Sequence, residues 1–79
     1  MSHPVRVDEA LWSAAMAPEG ILERWFQPDG ADIQTGQPLA EVSIEGARHE
    51  VVAPIAGRLL VTLPVSALVE PGSIIGEVS

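Results

Sequence analysis

The segment Thr35–Ser43, TGQPLAEVS, recurs near the end of the chain as Pro71–Ser79, PGSIIGEVS. Gly36 aligns with Gly72 and Leu39 with Ile75, and Glu41-Val42-Ser43 is matched in type by Glu77-Val78-Ser79. Upstream, Ile33 meets Val69 at the same offset, and Gly20 meets Gly57 once one residue is inserted. A period near half the chain length implies two similar halves. Two units are too few for a solenoid. They suit a closed sandwich or flattened barrel with pseudo-two-fold symmetry, in which each half buries its apolar face against the other.

Seven glycines and seven prolines punctuate the chain at short intervals, and the runs between them are rich in Val, Ile and Leu. That spacing predicts an all-β domain of short strands. Strands are expected at Val5–Val7, Gly20–Phe26, Pro38–Ser43, Arg48–Val52, Gly57–Leu63 and Ile74–Val78, with short bridging strands at Asp32–Ile33 and near Val69. Turn signals lie between them at Pro28-Asp29-Gly30, Thr35-Gly36, Glu45-Gly46, Ala53-Pro54 and Pro71-Gly72. Alternation places Leu59, Val61 and Leu63 toward the core. Ile21–Phe26 alternates poorly, as a bulge or a strand covered on both faces would. Asp8–Pro18, DEALWSAAMAP, shows no strand alternation. It reads as a long loop, with Leu11, Ala14 and Ala15 at helical spacing and Asp8 placed to cap a single turn. The 79 residues are expected to fold as one domain, with residues 1–4 frayed.

Composition removes several classes of function. The net charge is −7 and the sequence pI about 4.4. The four basic residues, Arg6, Arg24, Arg48 and Arg58, are scattered, which argues against nucleic acid, whose affinity comes from clustered basic side chains at phosphates. Cysteine is absent, so disulfides, thiol nucleophiles and thiolate metal sites are excluded. No run approaches the roughly 18 apolar residues of a membrane span, and no basic segment precedes an apolar stretch as in a secretory leader. A soluble, cytoplasmic protein is expected, with no membrane partner.

From Val5 onward the chain resembles the lipoyl/biotinyl carrier domain family. Gly20–Leu59, GILERWFQPDGADIQTGQPLAEVSIEGARHEVVAPIAGRL, follows the lipoyl pattern without a gap. The matching points are Gly20, Trp25, Gly30, Ile33, Gly36, Leu39, Glu41, Ala47, Glu50, Ala53-Pro54 and Gly57, and VEPGSIIGEVS resembles the last strand of the family. The resemblance implies a barrel-sandwich hybrid: two packed four-stranded antiparallel sheets with a central hairpin at one end. It also implies a lysine at that hairpin's tip, in an Asp-Lys-Ala turn, carrying lipoate or biotin. Here the turn reads Ile44-Glu45-Gly46-Ala47: Glu45 stands for the aspartate, Ala47 for the alanine and Gly46 for the lysine. The Met-Lys-Met form of the biotin motif is absent too, and the chain contains no lysine at all. Attachment requires a primary amine to attack an activated acyl group. Glycine offers no side chain, and a guanidinium stays protonated. No cofactor is therefore expected, and no catalytic role.

His49 reads as a strand residue, since no positioned nucleophile or electrophile accompanies it. His3 falls in the terminus expected to fray. Two separated histidines without cysteine give no metal-ligand spacing. The GSIIG segment (Gly72–Gly76) lacks the Lys-Ser/Thr and the helix of a phosphate loop. In lipoyl domains the loop equivalent to Asp8–Pro18 lies beside the lysine hairpin and helps partner enzymes recognise the domain. Leu11, Trp12 and Met16 therefore form either an exposed partner-binding patch or a plug for the end of a small core. Glu45 and Glu50 flank the hairpin, where a basic partner would meet them.

The expected function is a non-catalytic lipoyl/biotinyl-like domain, a protein-interaction or scaffold module of a 2-oxo acid dehydrogenase-type or biotin-dependent complex. With no Pro/Ala-rich tether beyond Ser79, a swinging arm is expected to be missing as both side chain and linker. The alternative is a degenerate carrier acting as decoy or regulator of a lipoyl or biotin ligase.

Overall fold

A computed structural model describes residues 2–79. The described residues form eight strands and one 3-10 turn. The strands are β1 (His3–Arg6), β2 (Gly20–Trp25), β3 (Asp32–Ile33), β4 (Pro38–Ile44), β5 (Ala47–Val52), β6 (Gly57–Val61), β7 (Leu68–Val69) and β8 (Ile74–Val78), and the turn is Glu9–Trp12. They assemble into two four-stranded sheets, ordered β1-β8-β6-β3 and β5-β4-β2-β7, with every pairing antiparallel. No ladder among the described residues joins the sheets into a closed barrel. No helix among the described residues is long and apolar enough to cross a membrane.

Each sheet turns one face inward. Leu22, Leu39, Val42, Leu59, Val69, Ile75 and Val78 are fully buried, and together with Val5, Val7, Ile33 and Ile44 they make a single core. The aliphatic composition is what allows this: β-branched and leucine side chains interdigitate between two twisted sheets without polar atoms to satisfy.

The internal repeat is visible in the backbone hydrogen bonds. Gly36 N–H donates to the Ala53 carbonyl and Gly72 N–H to that of Val7; Gln37 N–H donates to Gln34 and Ser73 N–H to Glu70. Leu22 N–H donates to Ala67, and Leu59 N–H to Ala31. In both halves the register slips at the same place. It lies between Pro38 and Ala40 where β4 meets β5, and between Val5 and Arg6 where β1 meets β8. The slip explains why two successive residues, Leu39-Ala40 in one half and Ile75-Gly76 in the other, are buried together.

Several sequence expectations are refined. His3 and Pro4 are not frayed: they pair with Val78 and Glu77. Met1 lies outside the described residues. The strand expected over Gly57–Leu63 ends at Val61, with Leu63 packed on the core from the following turn. The poor alternation of Ile21–Phe26 has its cause in a bulge between Leu22 and Arg24. Before it Gly20 and Leu22 face the core; after it the parity reverses. Trp25 is then half-buried and donates its indole N–H to the Leu63 carbonyl at 2.9 Å.

Candidate functional site

The site suggested by the sequence lies at the β4–β5 hairpin. Its two loop residues both have positive φ, 50° at Glu45 and 81° at Gly46. Positive φ at both central positions of a two-residue loop is the signature of a type I′ turn, whose twist matches that of the strands it joins. Gly46 suits this conformation because it has no Cβ. A Cβ built there would meet nothing within 4 Å, so the obstacle to a side chain at Gly46 is the backbone conformation and not the surroundings.

Glu45 is the less expected occupant, since a non-glycine residue at positive φ costs roughly 1–2 kcal/mol. Its carboxylate offsets that cost: one oxygen accepts hydrogen bonds from the backbone N–H groups of both Met16 and Ala17. The hairpin thereby ties down the far end of the 8–18 loop. The near end is fixed by Asp8, whose side chain accepts from Ala10 N–H at 2.9 Å and caps the Glu9–Trp12 turn. Ala15 N–H donates to the Trp12 carbonyl, which extends the turn toward the hairpin.

Held at both ends, the loop covers the end of the sandwich. Trp12 is only 9% exposed and belongs to the core, so the loop acts as a plug and the indole is not part of an exposed patch. Its Nε1–H has no hydrogen-bond partner among the described residues. Leu11 and Ala15 are half-buried on the same core, whereas Met16 is 93% exposed beside the hairpin. Between loop and hairpin lies a shallow cleft of about 240 Å³. Leu11, Ala14 and Ala15 line one side, Ile44 and Ala47 the other, and Glu45 and His49 its polar margin.

The five residues proposed for partner contact are thus not equivalent. Leu11 and Glu45 border the cleft and Met16 stands free next to it. Trp12 supports the loop from below, and the Glu45 carboxylate is already engaged by the loop. Glu50 lies elsewhere, on the outer face of β5, directly opposite Glu41.

Strand parity also decides the histidine. His49 pairs with inward-facing Val42, and Ser43 pairs with outward-facing Arg48. His49 and Ser43 therefore sit on opposite faces of the sheet and cannot form a nucleophile–base pair. Among the described residues no group of three or more His, Cys, Asp or Glu side chains is placed to hold a metal ion. The sequence reading overlooked two things: the anchoring role of Glu45 and the inward aim of His49. The register would have shown the second once Ile44 and Ala47 were paired across a two-residue turn. The first depends on a contact between distant segments and carries no local signal.

No family model matches the chain, and no curated protein matches it.

Proposed function

We propose that this chain is a lipoyl/biotinyl-like module without attachment chemistry, acting as a protein-interaction or scaffold unit beside a 2-oxo acid dehydrogenase-type or biotin-dependent assembly. The observation that carries the reading is the position of Glu45-Gly46. It forms the tip of a two-residue hairpin at one end of two four-stranded sheets, where the resemblance expects a lysine. Without a lysine the hairpin has no side-chain amine to accept an acyl or biotinyl group, and what the hairpin end offers is shape. An apolar cleft is bordered by Leu11, Ile44 and Ala47, an exposed Met16 stands beside it, and the loop is anchored by Glu45 and by the buried Trp12. Pre-ordering of a recognition loop lowers the entropy cost of binding.

The test is direct binding. The protein is titrated separately with dehydrogenase, carboxylase, lipoyl-ligase and biotin-ligase components by calorimetry. Binding to a dehydrogenase or carboxylase component is expected. Met16→Glu should weaken it at least tenfold, about 1.4 kcal/mol, with no loss of fold, because Met16 packs on almost nothing. Binding to a ligase alone would replace this reading with the decoy or regulator. Binding to none of them would remove it.

A further inference from the structure

Strand β5 is the longest free edge among the described residues. The other edge strands, β1, β3 and β7, have four, two and two residues, against six in β5. The two-residue turn makes Ile44 and Ala47 a hydrogen-bonded pair, so the backbone groups of Ala47, His49 and Val51 point toward β4. Those of Arg48, Glu50 and Val52 point away from it. The other side of β4 agrees with this parity: Phe26 N–H donates to the Leu39 carbonyl, placing the odd-numbered residues of β4 toward β2. No hydrogen bond from elsewhere among the described residues reaches the backbone of Arg48, Glu50 or Val52. Three donors and three acceptors are therefore left in a row, a template for another strand. A groove of about 340 Å³ runs along this edge, with Arg6, Asp8 and Leu11 on one wall and Glu50, Val51, Val52 and Pro54 on the other.

The side chains along the edge indicate what fits it. On the outer face Glu50 lies directly opposite Glu41, a like-charge pair that is unfavourable across neighbouring strands. Arg24 lies opposite Glu41 from β2 and bridges it at 3.7 Å; Arg48 reaches the same carboxylate from the diagonal at 3.9 Å. Glu50 has no such partner among the described residues. A second β5 added antiparallel about a dyad at His49 sets Arg48 opposite Glu50 of the copy, and Glu50 opposite Arg48 of the copy. The hydrogen-bonding parity agrees, since both residues aim their backbone groups outward. The row across the joined sheets then reads Arg24, Glu41, Glu50 and the copy's Arg48, so the two carboxylates gain a guanidinium at each end.

We propose that β5 is a self-complementary edge through which two copies of this chain pair into one continuous antiparallel sheet. The interface is isologous, with each Arg48–Glu50 contact made twice, as a closed two-fold dimer requires. A strand of unrelated sequence would gain the backbone bonds but not the alternating charge match.

Sedimentation equilibrium over a concentration series tests it. The wild type is expected to dimerise. Arg48→Glu and Glu50→Arg each set like charges opposite one another twice, and each should raise the dimer dissociation constant about tenfold or more. Neither side chain is buried, so the fold is retained. The double variant R48E/E50R restores the match and should dimerise again, and an equimolar mixture of the two single variants should form heterodimers. A second readout comes from His49→Cys, which introduces the only thiol in the chain. Across the dyad its Cβ atoms would be about 4.5–5.5 Å apart, near the disulfide range. Rapid oxidation to a covalent dimer is expected, but not for a thiol introduced at Ser66, in the turn before β7. A wild type that stays monomeric to millimolar concentration overturns the proposal. So does a dimer that neither charge variant weakens.

Discussion

Two residues at the hairpin end contrast in what their side chains contribute. Gly46 offers no side-chain amine, and its left-handed backbone is part of a turn built for glycine. Trp12 carries the opposite message: it is a large side chain in a loop that the sequence leaves undecided between interaction patch and plug. The structure places it in the core, at the cost of an unpaired indole N–H. The sequence could not decide, because Leu11, Trp12 and Met16 are all apolar and only their rotation about the turn sorts buried from exposed. Trp12→Ala should therefore cost about 3–5 kcal/mol. The whole domain is worth on the order of 4–12 kcal/mol, so much of the protein should unfold within a shallow denaturant range. Trp12→Phe keeps most of the volume and deletes the unpaired donor, so its cost should be about 1 kcal/mol. Chemical denaturation distinguishes the two. Equal losses for Ala and Phe would mean that the indole N–H has a partner after all.

At the scale of elements, most strands were legible because turn residues bracket them and aliphatic residues fill them. β8 matches its predicted bounds, and β2, β4 and β5 differ by one residue at an end. Errors cluster where long-range pairing decides. β1 begins earlier than expected because the last strand offers His3 and Pro4 a partner. β6 stops early because Thr62 and Leu63 both donate to the Ile75 carbonyl as the chain turns away. The contact between hairpin and loop through Glu45 was not legible, since it joins positions remote in sequence. It gives a prediction of its own. Glu45→Gln preserves length and turn but exchanges a charged acceptor for a neutral one. The Met16 and Ala17 amides should then exchange with solvent several-fold faster by NMR, with a stability loss of about 0.5–1.5 kcal/mol. Unchanged exchange at both amides would show that the loop is held by Trp12 alone.

For the whole molecule, the repeat of Thr35–Ser43 in Pro71–Ser79 was the strongest signal, and it surfaces as two four-stranded sheets with matching hydrogen bonds and matching register slips. The correspondence is not perfect. Ala40 aligns with Gly76, where a Cβ would sit 2.6 Å from the Leu60 carbonyl oxygen and 3.3 Å from the Trp25 ring, so one half accepts a methyl that the other excludes. Net charge of −7 sits on the surface of this frame and not in its core, where no polar or charged residue is buried among the described residues. The function proposed above treats this frame as a carrier-like architecture with Gly46 where an attachment lysine would stand. Gly46→Lys, incubated with a lipoyl ligase and separately with a biotin ligase and followed by intact-mass spectrometry, tests it most directly. One adduct on at least one of the two reactions is predicted for the variant, and none for the wild type. A wild type that gains either mass, or a folded variant that gains neither, would contradict the claim.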